Sequence, residues 1–107
     1  MFIAVTKEIF QWYFLGKEYE LRASRKRFTS KTLKKGMIIK IGEGYSGKKF
    51  RAKLVDMVFA SSIEKIFDAI PYRKINPVVG NRREAIKIAK QTCGKGKMHV
   101  AMKLKKI

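Results

Sequence analysis

The chain has 107 residues, the size of one small domain, and its 46% hydrophobic and 11% aromatic content excludes a disordered basic tail. Lys and Arg number 26 against 8 acidic residues, and the net charge of +18 favours a polyanionic partner, nucleic acid before an anionic membrane surface. No apolar run approaches the roughly 20 residues that span a bilayer, and the single cysteine, Cys93, excludes an intrachain disulfide and a CxxC metal motif.

The first predicted elements are a strand, a helix and a second strand. Phe2–Val5 is β-prone, and Thr6 can cap a helix over residues 7–15 with a broad apolar face. Gly16 is well placed to end that helix. Residues 17–22 then alternate between apolar and charged side chains, which predicts a half-buried strand with Glu20 and Arg22 on the same face.

The middle of the chain predicts a loop, a strand pair and a helix. Residues 23–35 are polar and basic without a clear period, so we expect a surface loop. Residues 37–41 and 50–59 predict two strands around a glycine-rich turn. The run Ser61-Ser62-Ile63-Glu64 predicts a capping box, and Pro71 closes the helix that follows.

The last third predicts a helix and a final strand. Residues 72–80 are a predicted linker, and Asn81 predicts the capped start of a helix that reaches about Thr92. Residues 98–105 alternate, with Met98, Val100, Met102 and Leu104 on one side, as in a strand. The resulting order, β-α-β-loop-β-β-α-α-β, predicts a small curled sheet or barrel of the α+β class.

The sequence GKEYELR at positions 16–22 resembles the G-x-K-x-x-E-x-R signature of the ASCH domain, a small relative of the PUA RNA-binding barrel. One spacer residue is missing after Gly16, whereas Lys17, Glu20 and Arg22 keep their mutual spacing. An aromatic-rich helix before the signature, a later "SIEKIFDAI" helix and a last strand extend the resemblance over nearly the whole chain. It implies a small PUA-like β-barrel with flanking short helices, and a cleft where Lys17, Glu20 and Arg22 contact a ligand.

The resemblance also implies an enzymatic alternative. Some relatives are small amidohydrolases that deacetylate N4-acetylcytidine, and ribonuclease activity is associated with the fold. Lys17 matches their signature lysine, but Glu20 stands where they have threonine, and Glu84 is the nearest candidate for their downstream acid. In an enzyme, Lys17 is then expected to act as general base or polarising cation and Glu20 as proton shuttle.

Other cations are candidates for phosphate contacts. They lie after the signature strand, beside the glycine-rich turn and on the second long helix: Arg25, Lys26 and Arg27; Lys48, Lys49 and Arg51; Arg83 and Lys87. Tyr45, at the tip of the turn, is the preferred candidate for stacking on a base, and Phe28 either stacks or plugs the core. The plainer alternatives are solvated basic faces and, for Glu20 with Arg22, a surface ion pair contributing roughly 0–1 kcal/mol.

Together these features predict one domain, residues 1–107, that binds RNA or a nucleotide in the cytoplasm and does not associate with membranes. The alternatives are a small hydrolase acting on a modified nucleoside or on RNA, and a structural component of a ribonucleoprotein. His99 is the only histidine, and no metal cluster or cofactor motif is present, so we expect neither metal nor cofactor. DNA as a partner, the identity of the RNA and the oligomeric state stay open.

Overall fold

The computed structural model describes all 107 residues. Five strands and three helices follow the predicted order: β1 (Phe2–Val5), α1 (Lys7–Trp12), β2 (Tyr19–Ala23), β3 (Ile38–Glu43), β4 (Lys49–Ala60), α2 (Ile63–Ala69), α3 (Arg82–Thr92) and β5 (His99–Lys106). A single 3-10 turn, Tyr72–Lys74, lies in the predicted linker. None of the helices has the length and apolar character needed to cross a membrane.

The strands form one curled sheet in the order β1-β3-β4-β5-β2, with β1 parallel to β3 and every other pair antiparallel. The two edge strands are joined through side chains. Arg22 Nη2, on β2, donates to Ala4 O of β1 at 3.2 Å, and Arg27 Nη1 donates to Phe2 O at 2.6 Å. The sheet is curled into a half-barrel, and these two guanidinium groups bridge its open seam by satisfying carbonyls of the edge strand β1.

Two hydrophobic cores lie on opposite faces of the sheet. The first fills the half-barrel and contains Ile3, Ile39, Ile41, Leu54, Val100 and Met102, together with Leu33 from the 24–37 loop. The second lies between the sheet and the helices α2 and α3, and contains Leu21, Ile66, Phe67, Ala85, Ala89 and Ala101. Strand β5 separates them, since Val100 and Met102 face the first core and Ala101 the second. Both faces of β5 are therefore covered.

The helix ends differ from the predicted ones in two places. Helix α1 ends at Trp12, and the chain continues in tight turns to Gly16. In these turns Trp12 O accepts hydrogen bonds from Leu15 N at 3.0 Å and from Lys17 N at 2.9 Å. Helix α2 is capped by Ser62, whose hydroxyl accepts from Lys65 N, one residue later than the capping box predicted. The cap of α3 is the predicted one, because Asn81 Oδ1 accepts from Glu84 N at 2.9 Å.

Candidate functional site

The three charged residues of the signature meet in a buried cluster. Glu20 is 4% exposed and Lys17 6% exposed. Arg22 Nε lies 2.9 Å from Glu20 Oε2, Lys17 Nζ lies 3.9 Å from Glu20 Oε1, and the Tyr13 hydroxyl donates to Glu20 Oε1 at 2.5 Å. The pair of Glu20 and Arg22 is thus part of a buried network of four side chains, which distinguishes it from a surface ion pair.

Lys17 reaches this cluster because of the turn that precedes it. Gly16 has φ +116°, a conformation that glycine adopts easily, and it brings Lys17 back beneath the end of α1. The ammonium donates to Ile75 O at 2.7 Å and lies 5.8 and 5.5 Å from the ring centroids of Trp12 and Tyr13. The signature strand is thereby tied both to α1 and to the segment after the 3-10 turn.

Burial changes the acid–base properties of the cluster. It lowers the pKa of Lys17 from 10.5 to about 8, an effect that the negative charge of Glu20 opposes and the positive charge of Arg22 reinforces. Burial, the charge of Glu20 and the hydrogen bond to it all raise the pKa of Tyr13 well above its ordinary value. The hydroxyl of Tyr13 therefore stays protonated near neutral pH and donates a hydrogen bond to Glu20, while the pKa of Lys17 lies at about 8.

A cleft opens beside the cluster. Lys17, Glu20 and Arg22 line it together with Trp12 and Ile9 of α1, Ile75, Asn76 and the face of α3 that carries Ala85, Ile88, Ala89 and Thr92. Its volume is about 40 Å³, room for a few water-sized groups and far below the roughly 300 Å³ of a small ligand pocket. The cleft therefore admits only a small part of a ligand.

A larger cavity adjoins the cleft, and we call it the arginine basin. It has a volume of about 360 Å³ and is lined by Arg22, Arg25, Lys26, Arg27, Phe28, Ala23, Thr92, Cys93 and Gly94. Arg22 and Thr92 line both spaces, so the basin lies next to the cleft. Four of the nine lining residues are cations and none is acidic. The basin is therefore large enough for part of a ligand and strongly favours an anion.

The remaining predicted contacts lie outside these two spaces. Tyr45 is 82% exposed in the turn between β3 and β4, where its ring packs 5.9 Å from that of Phe2. Lys48, Lys49 and Arg51 are exposed on the same turn and strand, and Arg83 and Lys87 are exposed on α3. None of the eight predicted phosphate-binding cations forms an ion pair. By contrast, Arg82 and Lys90 of α3 are neutralised by Asp68 and Glu64.

Sequence reasoning missed two residues of the site. Tyr13 falls within the helix predicted over residues 7–15, and nothing in the pattern of that segment shows that its hydroxyl meets Glu20. Asn76 falls within the linker predicted over residues 72–80, directly before Pro77, a turn signal that gives no indication of burial. Glu84, the candidate downstream acid, does not line the cleft. No group of three His, Cys, Asp or Glu side chains is arranged to hold a metal ion.

No protein-family model and no curated protein sequence matches the chain. Solved structures do. The crystal structure of the hypothetical protein PH0355 has a TM-score of 0.79 and 21% identity, with 99% of this chain and 97% of that chain covered. The solution NMR structure of PF0455 from Pyrococcus furiosus has a TM-score of 0.69 and 14% identity over 99% of this chain and 96% of that one.

The name of a third similar structure includes the word ASCH. It is the crystal structure of a mutant of ZmASCH from Zymomonas mobilis, with a TM-score of 0.62 and 15% identity over 97% of this chain and 66% of that one. At such low identity these similarities establish the fold. The order of the elements agrees with the sequence-based prediction, and the chain has the α+β fold of these structures, ZmASCH among them: a small half-barrel with short flanking helices.

Proposed function

We propose that this protein binds RNA, with phosphates in the arginine basin and part of one nucleotide at the adjoining cleft. The observation that carries the proposal is the basin itself, a cavity of about 360 Å³ with four cationic side chains and no acidic one. It lies in a chain of net charge +18. The resemblance to the PUA RNA-binding barrel favours RNA over DNA as the polyanion.

The basin combines fixed and free cations. Arg22 is held by Glu20 and Ala4 O, and Arg27 by Phe2 O, while both guanidinium groups lie over the ring of Phe28 at 5.8 and 5.0 Å. Such fixed guanidinium groups lose little conformational freedom when an anion binds, which favours affinity. Arg25 and Lys26 are exposed, and neither side chain forms a hydrogen bond or an ion pair, so both are available to phosphates.

The test is a titration of labelled single-stranded RNA and matched DNA, followed by fluorescence anisotropy over a range of salt concentrations. The variant is Arg25→Ala/Lys26→Ala, which removes the free cations of the basin. Log affinity falls linearly as log salt concentration rises, and each lost phosphate contact should make this slope shallower by about 0.7. The slope of the double variant should therefore be shallower than that of the wild type by about 1.4. Affinity at fixed salt should fall for RNA of any sequence, because phosphates carry no base identity.

The matched control is Lys53→Ala/Lys105→Ala, which removes the same charge from two exposed, paired positions on β4 and β5 outside the basin. It should leave the slope nearly unchanged. Equal losses in the two double variants would refute a basin-centred mode and leave only general attraction by the basic surface. Failure of the wild type to bind RNA would refute the proposal outright.

One observation favours a second function, hydrolysis of a modified nucleoside or of RNA. A buried lysine with a pKa of about 8 can act as a base near neutral pH, as a general base or nucleophile requires. The Glu20 carboxylate accepts from the Tyr13 hydroxyl and Arg22 Nε and keeps a free lone pair on each oxygen, as the proton shuttle assigned to it requires. Turnover of N4-acetylcytidine or of a short RNA that Lys17→Ala abolishes would establish this activity, and absence of turnover in the wild type would exclude it for those substrates.

A further inference from the structure

We propose that Tyr45 and Phe2 form a platform on which an unpaired base stacks while phosphates of the same RNA strand occupy the arginine basin. This inference rests on the proposed RNA binding and adds the class of RNA, one with unpaired nucleotides next to the bound phosphates. The sequence indicated Tyr45 as a stacking candidate by its place in a turn. The fold adds the support under its ring and the link from that support to the basin.

The ring of Tyr45 rests on a support that two strands provide. Phe2 projects from the outer face of β1, since its neighbour Ile3 faces the first core. The Phe2 ring lies against Gly42 of β3, where a Cβ atom would come within 2.6 Å of Phe2 Cζ and within 2.8 Å of Gly44 O. Tyr45 packs on Phe2 with ring centroids 5.9 Å apart and ring planes inclined by 35°. Glycine at position 42 thus leaves the room in which Phe2 supports Tyr45.

This support distinguishes Tyr45 from an ordinary exposed side chain. Single apolar and aromatic residues on a protein surface are common and need no functional explanation. Tyr45, however, is 82% exposed and still has its ring held against a second aromatic ring. A ring that is oriented before the ligand binds loses little conformational freedom on binding, which favours affinity.

The surroundings of the platform are cationic. Lys49 Nζ lies 6.0 Å from the ring centroid of Phe2, and Lys48 is exposed and its side chain forms neither a hydrogen bond nor an ion pair. Glu43 is the only acidic residue between positions 41 and 51. It follows Gly42 on β3 and therefore lies on the opposite face of that strand from the contact with Phe2. An exposed aromatic ring beside unpaired cations is the combination that binds single-stranded nucleic acid.

Phe2 also connects the platform with the arginine basin. Arg27 lines the basin, and its Nη1 donates to Phe2 O at 2.6 Å. Phe2 thus contacts a cation of the basin through its carbonyl group and Tyr45 through its ring. Because one residue separates Arg27 from Tyr45, a strand of a few nucleotides can reach from the basin to the platform. An unpaired base has a face free for Tyr45, whereas bases inside a duplex stack on their neighbours, so the platform selects unpaired nucleotides.

The decisive variant is Tyr45→Leu, which removes the ring and keeps an apolar side chain on Phe2. The matched control is Phe14→Leu, which removes another exposed aromatic ring, 56% exposed, from the turn after α1. A labelled single-stranded oligouridine and a long RNA duplex are titrated by anisotropy, and inorganic polyphosphate, a polyanion without bases, is titrated as a competitor. Tyr45→Leu should weaken the binding of oligouridine about tenfold, as expected for one lost stacking contact, and change that of the duplex and of polyphosphate less than about twofold. Tyr45→Phe and Phe14→Leu should match wild type on all three.

The outcomes separate this inference from the proposed function. If wild type binds oligouridine and Tyr45→Leu weakens it no more than Phe14→Leu does, no base stacks on Tyr45, and the inference fails while RNA binding stands. If Tyr45→Leu weakens oligouridine, duplex and polyphosphate equally, Tyr45 only supports a surface for phosphates, and the assignment to an unpaired base is wrong. If wild type binds neither RNA, both proposals fail.

A second measurement tests the inference even if Tyr45→Leu disturbs the turn. Tyr45→Trp keeps an aromatic ring on Phe2 and introduces a fluorescent one, and the chain has a single other tryptophan, Trp12. A base that stacks on the new indole should quench its emission, so oligouridine should quench the variant more than the wild type, in which only Trp12 emits. Polyphosphate should quench the two proteins equally. Equal quenching of variant and wild type by saturating oligouridine would overturn the inference.

Discussion

The buried ammonium of Lys17 gives the stability of this fold a specific dependence on pH. Burial lowers the pKa of Lys17 from 10.5 to about 8, while in the unfolded chain the group has its ordinary value. Between these two values the unfolded chain binds more protons than the folded one, so that the free energy of unfolding increases as the pH rises from about 8 towards 10.5. With these pKa values, the linkage relation predicts that the free energy of unfolding increases by about 2 kcal/mol between about pH 7 and about pH 9.5.

The assay is urea denaturation of wild type and Lys17→Met at several pH values in this range, because methionine retains the length of the side chain without a titrating group. The quantity to follow is the difference between the two free energies of unfolding. Burial raises the pKa values of Cys93 and Tyr13, so both groups destabilise the fold at the alkaline end. Their effects occur in both proteins and largely cancel in the difference. Between about pH 7 and about pH 9.5, the free energy of unfolding of the wild type should increase by about 2 kcal/mol relative to that of the variant.

Two results would refute this reasoning. A difference that is independent of pH would mean that the pKa of Lys17 is the same in the folded and unfolded chains, and hence that the ammonium is solvated. A wild type that loses stability relative to the variant with rising pH would mean that attraction by Glu20 outweighs burial and raises the pKa. In either case Lys17 would be a poor candidate for a base near neutral pH.

Two further predictions concern stability alone. Glu20→Ala should lower the free energy of unfolding by about 3–5 kcal/mol, because it leaves Arg22 and the buried Lys17 without their counter-charge; a loss below about 1 kcal/mol in urea denaturation would mean that water solvates the cluster. Leu33→Ala should cost about 2–5 kcal/mol through the cavity left in the first core, whereas the neighbouring exposed Lys34→Ala should be nearly neutral; equal effects would place the loop outside the core.

Most of the fold could be predicted because its signals are local. Alternation predicted the strands, and Asn81 and Thr6 marked helix starts that the structure retains. The burial of Leu33 is a feature that local sequence signals do not predict. It lies in a basic segment without periodicity, and one leucine in a polar loop does not indicate that the loop closes the end of a half-barrel. Burial of that kind depends on where distant strands place the loop.

The site was predictable in part for the same reason. Spacing placed Glu20 and Arg22 on one strand face, but half-buried alternation implied that this face is solvated. Instead this face turns into the half-barrel, where Glu20 pairs with Met102 across the strands and contacts Tyr13, and the acidic group is buried. The hydroxyl of Tyr13 and the amide of Asn76 come from segments outside the signature. Only tertiary packing brings the Tyr13 hydroxyl to Glu20 and Asn76 to the wall of the cleft, and periodicity does not report it.

The cations of the basin serve two purposes, and this decides how its function can be studied. Arg22 and Arg27 donate to carbonyls of β1 and close the seam of the half-barrel, while they also line the basin. Replacing either one changes the fold and the anion site together, so a loss of binding would have two explanations. The side chains of Arg25 and Lys26 line the same basin and make no hydrogen bond to the rest of the protein. Their removal tests the site at nearly constant stability, and the fixed arginines then account for whatever affinity is left.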